Sequence, residues 1–335
     1  MLNIFSQNEI NDLITHKEGE VKLGEQILVL NNDNDFFEEV ENSRASFVII
    51  GVPEDIGVKV NTGIGGTHTS FLPALKAFLN TYENLFISGK NILALGYLDY
   101  LETVEEFVAN DPEKSDYLVK QIDKDLSELI HFLISVGKTP IIIGGGQNNA
   151  YGNIKGVSTA KKQAINVINL DSHTDLQQLE ERHSGNAFSY ALKDGYLDNY
   201  FMFGLHENYT PQYIFEYIHD HLNIEYNMFE EIEIYKSTTF ESELQRAKNF
   251  IEDKPFGLEI DLDSLESFPS NAMAPSGFSS QQVRRFVHYF GNNKNVSYLH
   301  ISEGNPLMSN AKDNTNQVGK FISYLISDFI KAKNY

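Results

Sequence analysis

From Ser46 onward the chain alternates short, almost continuous apolar runs with longer stretches in which apolar residues recur every three or four positions. The runs are Phe47–Ile50, Ile92–Leu95, Pro140–Ile143, Ala164–Leu170, Tyr200–Leu205, Phe256–Ile260 and Val296–Ile301. Their length and uniform apolarity predict strands buried on both faces. Between them, residues 116–136 put Leu118, Ile122, Leu126, Leu129, Ile130 and Leu133 on one helical stripe. The C-terminal segment does the same with Val318, Phe321, Ile322, Leu325, Ile326 and Phe329. Such alternation predicts an α/β protein, its mostly parallel sheet covered by helices on both faces. No internal repeat or Pro/Ser-rich linker divides the chain, so residues 46–335 read as one α/β domain. Residues 1–45 read as a peripheral N-terminal extension, within which the acidic stretch 31–43 (NNDNDFFEEVENS) is expected to be a linker or solvated turn.

Composition narrows the function. Among 335 residues, 26 Lys and Arg stand against 47 Asp and Glu, a formal charge of −21. A nucleic-acid partner needs a basic footprint, and an anionic membrane surface repels such a chain, so neither partner is expected. With 41% apolar residues the chain can bury a core and is not disordered by composition. Cysteine is absent, which removes disulfides, thiolate metal sites and cysteine nucleophiles. The N-terminus MLNIFSQNEI lacks the pattern of a signal peptide, and no run reaches the ~20 apolar residues of a membrane span. A soluble, cytoplasmic protein is expected.

Charge enters abruptly where three apolar runs end. Functional residues of parallel α/β sheets collect just past the carboxyl ends of strands. Asp171-Ser172-His173-Thr174-Asp175 follows the run AINVINL directly. If the backbone stays extended there, two carboxylates and an imidazole share one face. Asp261-Leu262-Asp263 follows Phe256–Ile260, with Leu262 expected to turn into the core. Brought together, these aspartates repel: two unit charges ~4 Å apart cost about 4 kcal/mol at an effective dielectric of 20. Protons or cations must relieve that. Hard oxygen ligands with one imidazole suit Mn²⁺ or a similar ion. The third place, Gly144-Gly145-Gly146-Gln147, permits close approach of backbone to a ligand. It lacks the lysine of a P-loop and the spacing of a dinucleotide site.

In this order the motifs resemble the ureohydrolase superfamily of arginases, agmatinases and formimidoylglutamases. Gly51-Val52-Pro53 with Gly57 and Gly63-Ile64-Gly65-Gly66 resembles its N-terminal glycine-rich region. Gly144 to Gln147 stands where the family has G-G-G-H, and Asp171 to Asp175 matches D-A-H-x-D. Asp261 to Asp263 matches the later D-x-D, and Glu303-Gly304-Asn305-Pro306 resembles E-x-N-P. The resemblance implies a three-layer α/β/α fold with an eight-stranded parallel sheet and a site for two Mn²⁺ ions. By position, Gln147, Asp171, His173, Asp175, Asp261 and Asp263 would be the metal ligands. Asp175 and Glu303 would carry the catalytic roles, with Glu303 holding the cationic amidino or guanidino group of a small-molecule substrate. A metal-activated hydroxide would attack its central carbon. Arg182, Ser184 and Asn186 lie in what resembles the substrate-recognition loop. Trimers or hexamers are the homo-oligomers that the resemblance suggests.

Three departures bear on activity. Gln147 replaces a ligand histidine, Phe188 stands where arginases place a proton-shuttling histidine, and Leu265 is followed by Glu266-Ser267 instead of the family's D-P. Phe188 argues against a true arginase, and the small residues of its loop are closer to formimidoylglutamases, which convert formimidoylglutamate to glutamate and formamide. Arginase or agmatinase activity is the alternative hydrolase reading. A degenerate member that binds without catalysis is the alternative from a different class.

Overall fold

The apolar runs pair into one twisted sheet in the computed structural model, which describes residues 1–31, 35–308 and 311–333. Its strands are β1 (Leu2–Ile4), β2 (Phe47–Gly51), β3 (Ile92–Leu98), β4 (Thr139–Ile143), β5 (Ile165–Leu170), β6 (Leu197–Leu205), β7 (Ile224–Met228), β8 (Phe256–Asp261) and β9 (Val296–Ser302). Their spatial order is β1-β3-β2-β4-β9-β8-β5-β6-β7. The strands β2 to β9 run parallel, which gives the eight-stranded parallel sheet expected. A ninth strand, β1, is antiparallel and pairs only with β3.

Alternation along the strands sorts side chains into two cores. Phe47, Ile49, Ile141, Ile143, Ile168 and Leu170 face helices Phe71–Leu79, Ser280–Gly291 and Ala311–Lys333. Val48, Ile50, Ile142, Ile165 and Val167 face helices Pro112–Ser135 and Asn149–Lys161. The expected helix over 116–136 thus begins earlier, at Pro112, with Asp111 capping its first turn through the Lys114 amide. Both faces of the sheet are dry, so ligands can reach the strands only at their ends. Strands β4, β9, β8 and β5 are consecutive neighbours, and their carboxyl ends carry Gly144-Gly145-Gly146-Gln147, Glu303, Asp261 and Asp171 side by side.

The first 45 residues are built into this body and are not peripheral. Phe5, Ile10, Leu23 and Ile27 are buried in one core, Leu30 and Val40 in the other. Of the acidic stretch 31–43, residues 32–34 lie outside the described residues. Phe36–Asn42 is a helix capped by the Asp35 carboxylate, not a linker. The N-terminal strand docks against Gly96, whose φ is +147°. A Cβ there would run into the carbonyl of Asn3. Gly96→Ala should therefore strain its own backbone by about 1–3 kcal/mol and release β1. Hydrogen exchange at residues 2–4 should accelerate and the melting temperature should drop; unchanged exchange there would refute this account of the edge.

Candidate metal centre and substrate cleft

Two short turns bring the aspartates together. The Asp171 carboxylate accepts the His173 amide at 2.8 Å, and the Asp261 carboxylate accepts the Asp263 amide at 2.7 Å. Each side chain thereby folds its own backbone into a turn at a strand end. The chain does not stay extended after β5, because Asp175 adopts φ +48°. That left-handed residue, costly outside glycine, directs Asp175 back toward Asp171 and Asp261. One oxygen from each of these three carboxylates lies within 4.8 Å of the others. Leu262, between the second pair, is fully buried in the core as its position predicts.

Burial and mutual proximity both work against the charged forms of these groups. Burial pushes Asp175 and Asp261 well above the ordinary carboxylate range, and the charge of Asp171 pushes both further. Asp263 is also raised, chiefly by burial. For His173, burial opposes the charged ring. Its contact with Asp171 at 3.4 Å, with Asp263 and Asp175 nearby, overrules that and lifts it to about 9. A buried, oxygen-rich cluster that can relax only by taking up protons or cations fits a hard divalent ion. Asp171, Asp175 and Asp261 would hold it, with His173 and Asp263 on the same cleft wall.

Gln147 also borders the cleft, but its amide is already engaged. Its Nε2 donates to Glu259 at 3.2 Å and its Oε1 accepts the Ser302 hydroxyl. Glu259 in turn accepts from Tyr298 at 2.6 Å and pairs with His300 at 2.5 Å, all of them fully buried. The Gln147 backbone amide donates to Glu303 Oε1 at 2.8 Å. Glu303 itself has φ +59°, and burial followed by the charge of Asp263 pushes its carboxyl well up. Its second oxygen, Oε2, is buried without a hydrogen-bond partner. An unpaired buried acceptor on a cleft wall is a place for a donor from a ligand.

The cleft measures about 390 Å³; Gln147, His173, Asp175, Asp261, Asp263 and Glu303 line it together with Asn61, Gln177, Ser184, Tyr209, Tyr213 and Asn271. Tyr209 stacks on the His173 ring, centroids 5.2 Å apart. Of the three recognition-loop residues, only Ser184 reaches the cleft. Arg182 is buried, not substrate-facing: its guanidinium grips Asp123 through two bonds of 2.9 and 3.0 Å. It also donates to Asn186 Oδ1 at 2.7 Å and to the carbonyls of His183 and Asn148. Asn186 is fully buried, accepting from Arg182 and His183 and donating to the carbonyls of Gln178 and Glu181. Both residues shape the loop from behind. Phe188 stacks on Tyr200 at 4.3 Å, inside the core. Of the polar lining residues, Asn61 lies beside the glycine-rich 63–66 region and Gln177 two residues past Asp175, whereas Tyr209, Tyr213 and Asn271 carry no motif.

Comparison with known proteins agrees with this geometry. The Arginase family model matches residues 45–326. The chain is 27% identical to a formimidoylglutamase of Macrococcus caseolyticus over 263 residues, covering 77% of each chain. It is 31% identical over 155 residues to a formimidoylglutamase of Chromobacterium violaceum, covering 46% of this chain. That second match spans 45%, under half, of the relative's length. Among solved structures, Trypanosoma cruzi formiminoglutamase with Mn²⁺ superimposes with a TM-score of 0.72 at 21% identity, covering 93% of this chain and 99% of that one. The formimidoylglutamase of Bacillus subtilis gives 0.73 at 18% identity, over 96% and 94% of the two chains. At those identities the structural likeness establishes a shared fold. The sequence match across 45–326 establishes more: this chain belongs to the arginase family.

Proposed function

We propose that this arginase-family chain is a metal-dependent hydrolase of a C–N bond in a linear amidine, with formimidoylglutamate the first substrate to test. The observation that carries this is the pairing, in one cleft, of the Asp171, Asp175 and Asp261 cluster with the unpartnered Oε2 of Glu303. The formimidoylglutamase relatives supply the choice of substrate, and the T. cruzi neighbour solved with Mn²⁺ supplies the choice of metal.

Each side chain has a definite task in this reading. Asp171, Asp175 and Asp261 would hold the metal, with His173 and Asp263 completing the ligand set of two Mn²⁺ ions. Bound there, Mn²⁺ supplies Lewis acidity and makes a coordinated water easier to deprotonate. Glu303 would accept N–H bonds from the cationic amidinium through Oε2, while the Gln147 amide holds Oε1 still. Charge-assisted bonds of this kind are short and roughly twice as strong as neutral ones. Dry walls on both faces of the sheet keep those interactions from being screened.

Mn²⁺-loaded protein should release formamide from formimidoylglutamate, with urea release from arginine and agmatine as parallel assays. Glu303→Gln should lower kcat/KM by roughly 10- to 100-fold, the value of one charge-assisted bond. A protein that takes up no Mn²⁺ and turns over none of these compounds is a non-catalytic binder, and the hydrolase reading then falls.

The carboxylate cluster makes a separate prediction about stability. In metal-free protein, Asp175→Asn removes a buried carboxyl whose ionisation burial and its neighbours oppose, so melting should rise by about 2–4 °C, equivalent to ~1 kcal/mol. In wild type, Mn²⁺ should raise the melting temperature, because it binds only the folded form. Asp175→Asn should lose most of that metal-induced gain; an undiminished gain would remove Asp175 from the ligand set.

A further inference from the structure

A metal-bound imidazole is ordinarily steadied by a hydrogen bond from its second ring nitrogen, which fixes the plane of the ring. His173 has no such partner among the described residues. Its Nδ1 faces the carboxylate cluster, 3.4 Å from Asp171 Oδ1 and 3.2 Å from Ser172 Oγ, and no protein group bonds its Nε2. Nor does burial hold it, since the side chain is 35% exposed on the cleft wall. A ring free to turn about two side-chain bonds would have to be ordered before it could serve a cation, and that ordering subtracts from affinity.

Stacking supplies the missing restraint. Tyr209 lies over the His173 ring, centroids 5.2 Å apart and planes 23° from parallel. Tyr209 also stacks on His206 at 5.4 Å and 7°, and His206 stacks on Phe229 at 4.6 Å and 17°. Phe229 meets Phe278 edge-on at 5.2 Å, both of them buried. One series of rings thus runs from the hydrophobic core to the cleft and ends on His173. The backbone fixes the same series. The His206 N–H donates to the Ser172 carbonyl at 3.1 Å, which ties the residue after β6 to the residue before His173. The Tyr209 N–H and the Thr210 hydroxyl both donate back to the His206 carbonyl, each at 3.1 Å. Tyr209 contributes a ring and nothing else here: its hydroxyl has no hydrogen-bond partner among the described residues.

We propose that Tyr209 is a positioning residue for the metal centre: by stacking on His173 it holds the imidazole with Nδ1 toward Asp171, the orientation in which both side chains can donate to a divalent cation. The role rests on the metal-dependent reading of the site. It adds to the ligand set a residue that touches no metal and acts only through the ring it restrains.

Titration calorimetry with Mn²⁺ alone, on the full-length protein at fixed pH, reads the effect without turnover. Tyr209→Ala should weaken Mn²⁺ binding by about 3- to 10-fold, the range spanned by one aromatic pair. Tyr209→Phe keeps the ring, drops the hydroxyl and should stay within about twofold of wild type. Because Tyr209 is 42% exposed, melting of metal-free Tyr209→Ala protein should shift by less than about 2 °C, while its gain on adding Mn²⁺ shrinks. In a His173→Ala background, Tyr209→Ala should bring no further loss of Mn²⁺ affinity, since the ring it restrains is gone. Three results would each overturn the positioning role and leave the metal-dependent reading standing: wild-type affinity in Tyr209→Ala, a Tyr209→Phe protein as weak as Tyr209→Ala, or an additive loss on top of His173→Ala. A wild-type protein that binds no Mn²⁺ would overturn that reading and the positioning role together.

Discussion

Mutual repulsion among buried carboxylates is the constraint to which the rest of this fold answers. Asp171, Asp175 and Asp261 sit at the ends of adjacent strands with oxygens inside 4.8 Å of one another, and Asp263 and Glu303 add to the same field. Nothing in the local backbone would assemble them without compensation. The fold supplies it through rigidity: β8 and β5 pair in register from Asn166 to Leu170, so Asp171 and Asp261 follow matched strand ends. Two-sided burial of the sheet keeps those ends from moving apart. Repulsion is therefore stored as raised carboxyl pKa values, which is the state that a divalent cation would relieve.

Gln147 belongs to a second layer beneath that cluster. Its two amide atoms bridge Glu259 on β8 to Ser302 on β9, and its backbone fixes Glu303. Glu259 cannot be left bare in so dry a place, and Tyr298, His300 and Gln147 between them supply its donors. A neutral imidazole at 147 could donate to Glu259 from one ring nitrogen but would have to accept Ser302 at the other, across the ring, whereas the amide presents donor and acceptor side by side. The glutamine is thus fitted to its surroundings on three sides. In this arrangement it braces the strand ends and steadies Glu303, whatever it contributes to a metal.

The fold was legible where apolar runs carry strands, because burial on both faces leaves no room for polar alternation. It was illegible at the two edges. The strand β7 reads Ile-Glu-Tyr-Asn-Met, with only one neighbour to pair with, and β1 is three residues long. The acidic segment around Phe36–Asn42 reads as solvated because its helix buries just Val40 fully and leaves Glu38 and Glu41 exposed. At the site, the aspartate pairs were visible since charge directly after an apolar strand is rare. Their convergence was not derivable by simple alternation, for it depends on the left-handed Asp175 and on two turns that each carboxylate makes for itself. Ser184 was visible through its loop, but Asn61 was not, because only tertiary structure puts it beside Ser184.

Arg182 shows why a cation near a substrate loop is weak grounds for anion binding. Its partner Asp123 lies 59 residues earlier, on the long helix Pro112–Ser135, and no local pattern links them. Burying that pair is favourable only because all its hydrogen-bonding capacity is used: Arg182 also reaches Asn186 and two carbonyls. Removing one partner from such a pair typically costs about 3–5 kcal/mol, since the other charge is left stranded. A guanidinium bound this firmly cannot swing out to meet a ligand without exposing Asp123 to the same penalty. The loop therefore gains its shape from its one arginine and has only neutral groups left to present. Charge in this molecule is placed to define the cleft at one end and to stiffen its frame from behind, and the far wall is left to hydrogen bonds.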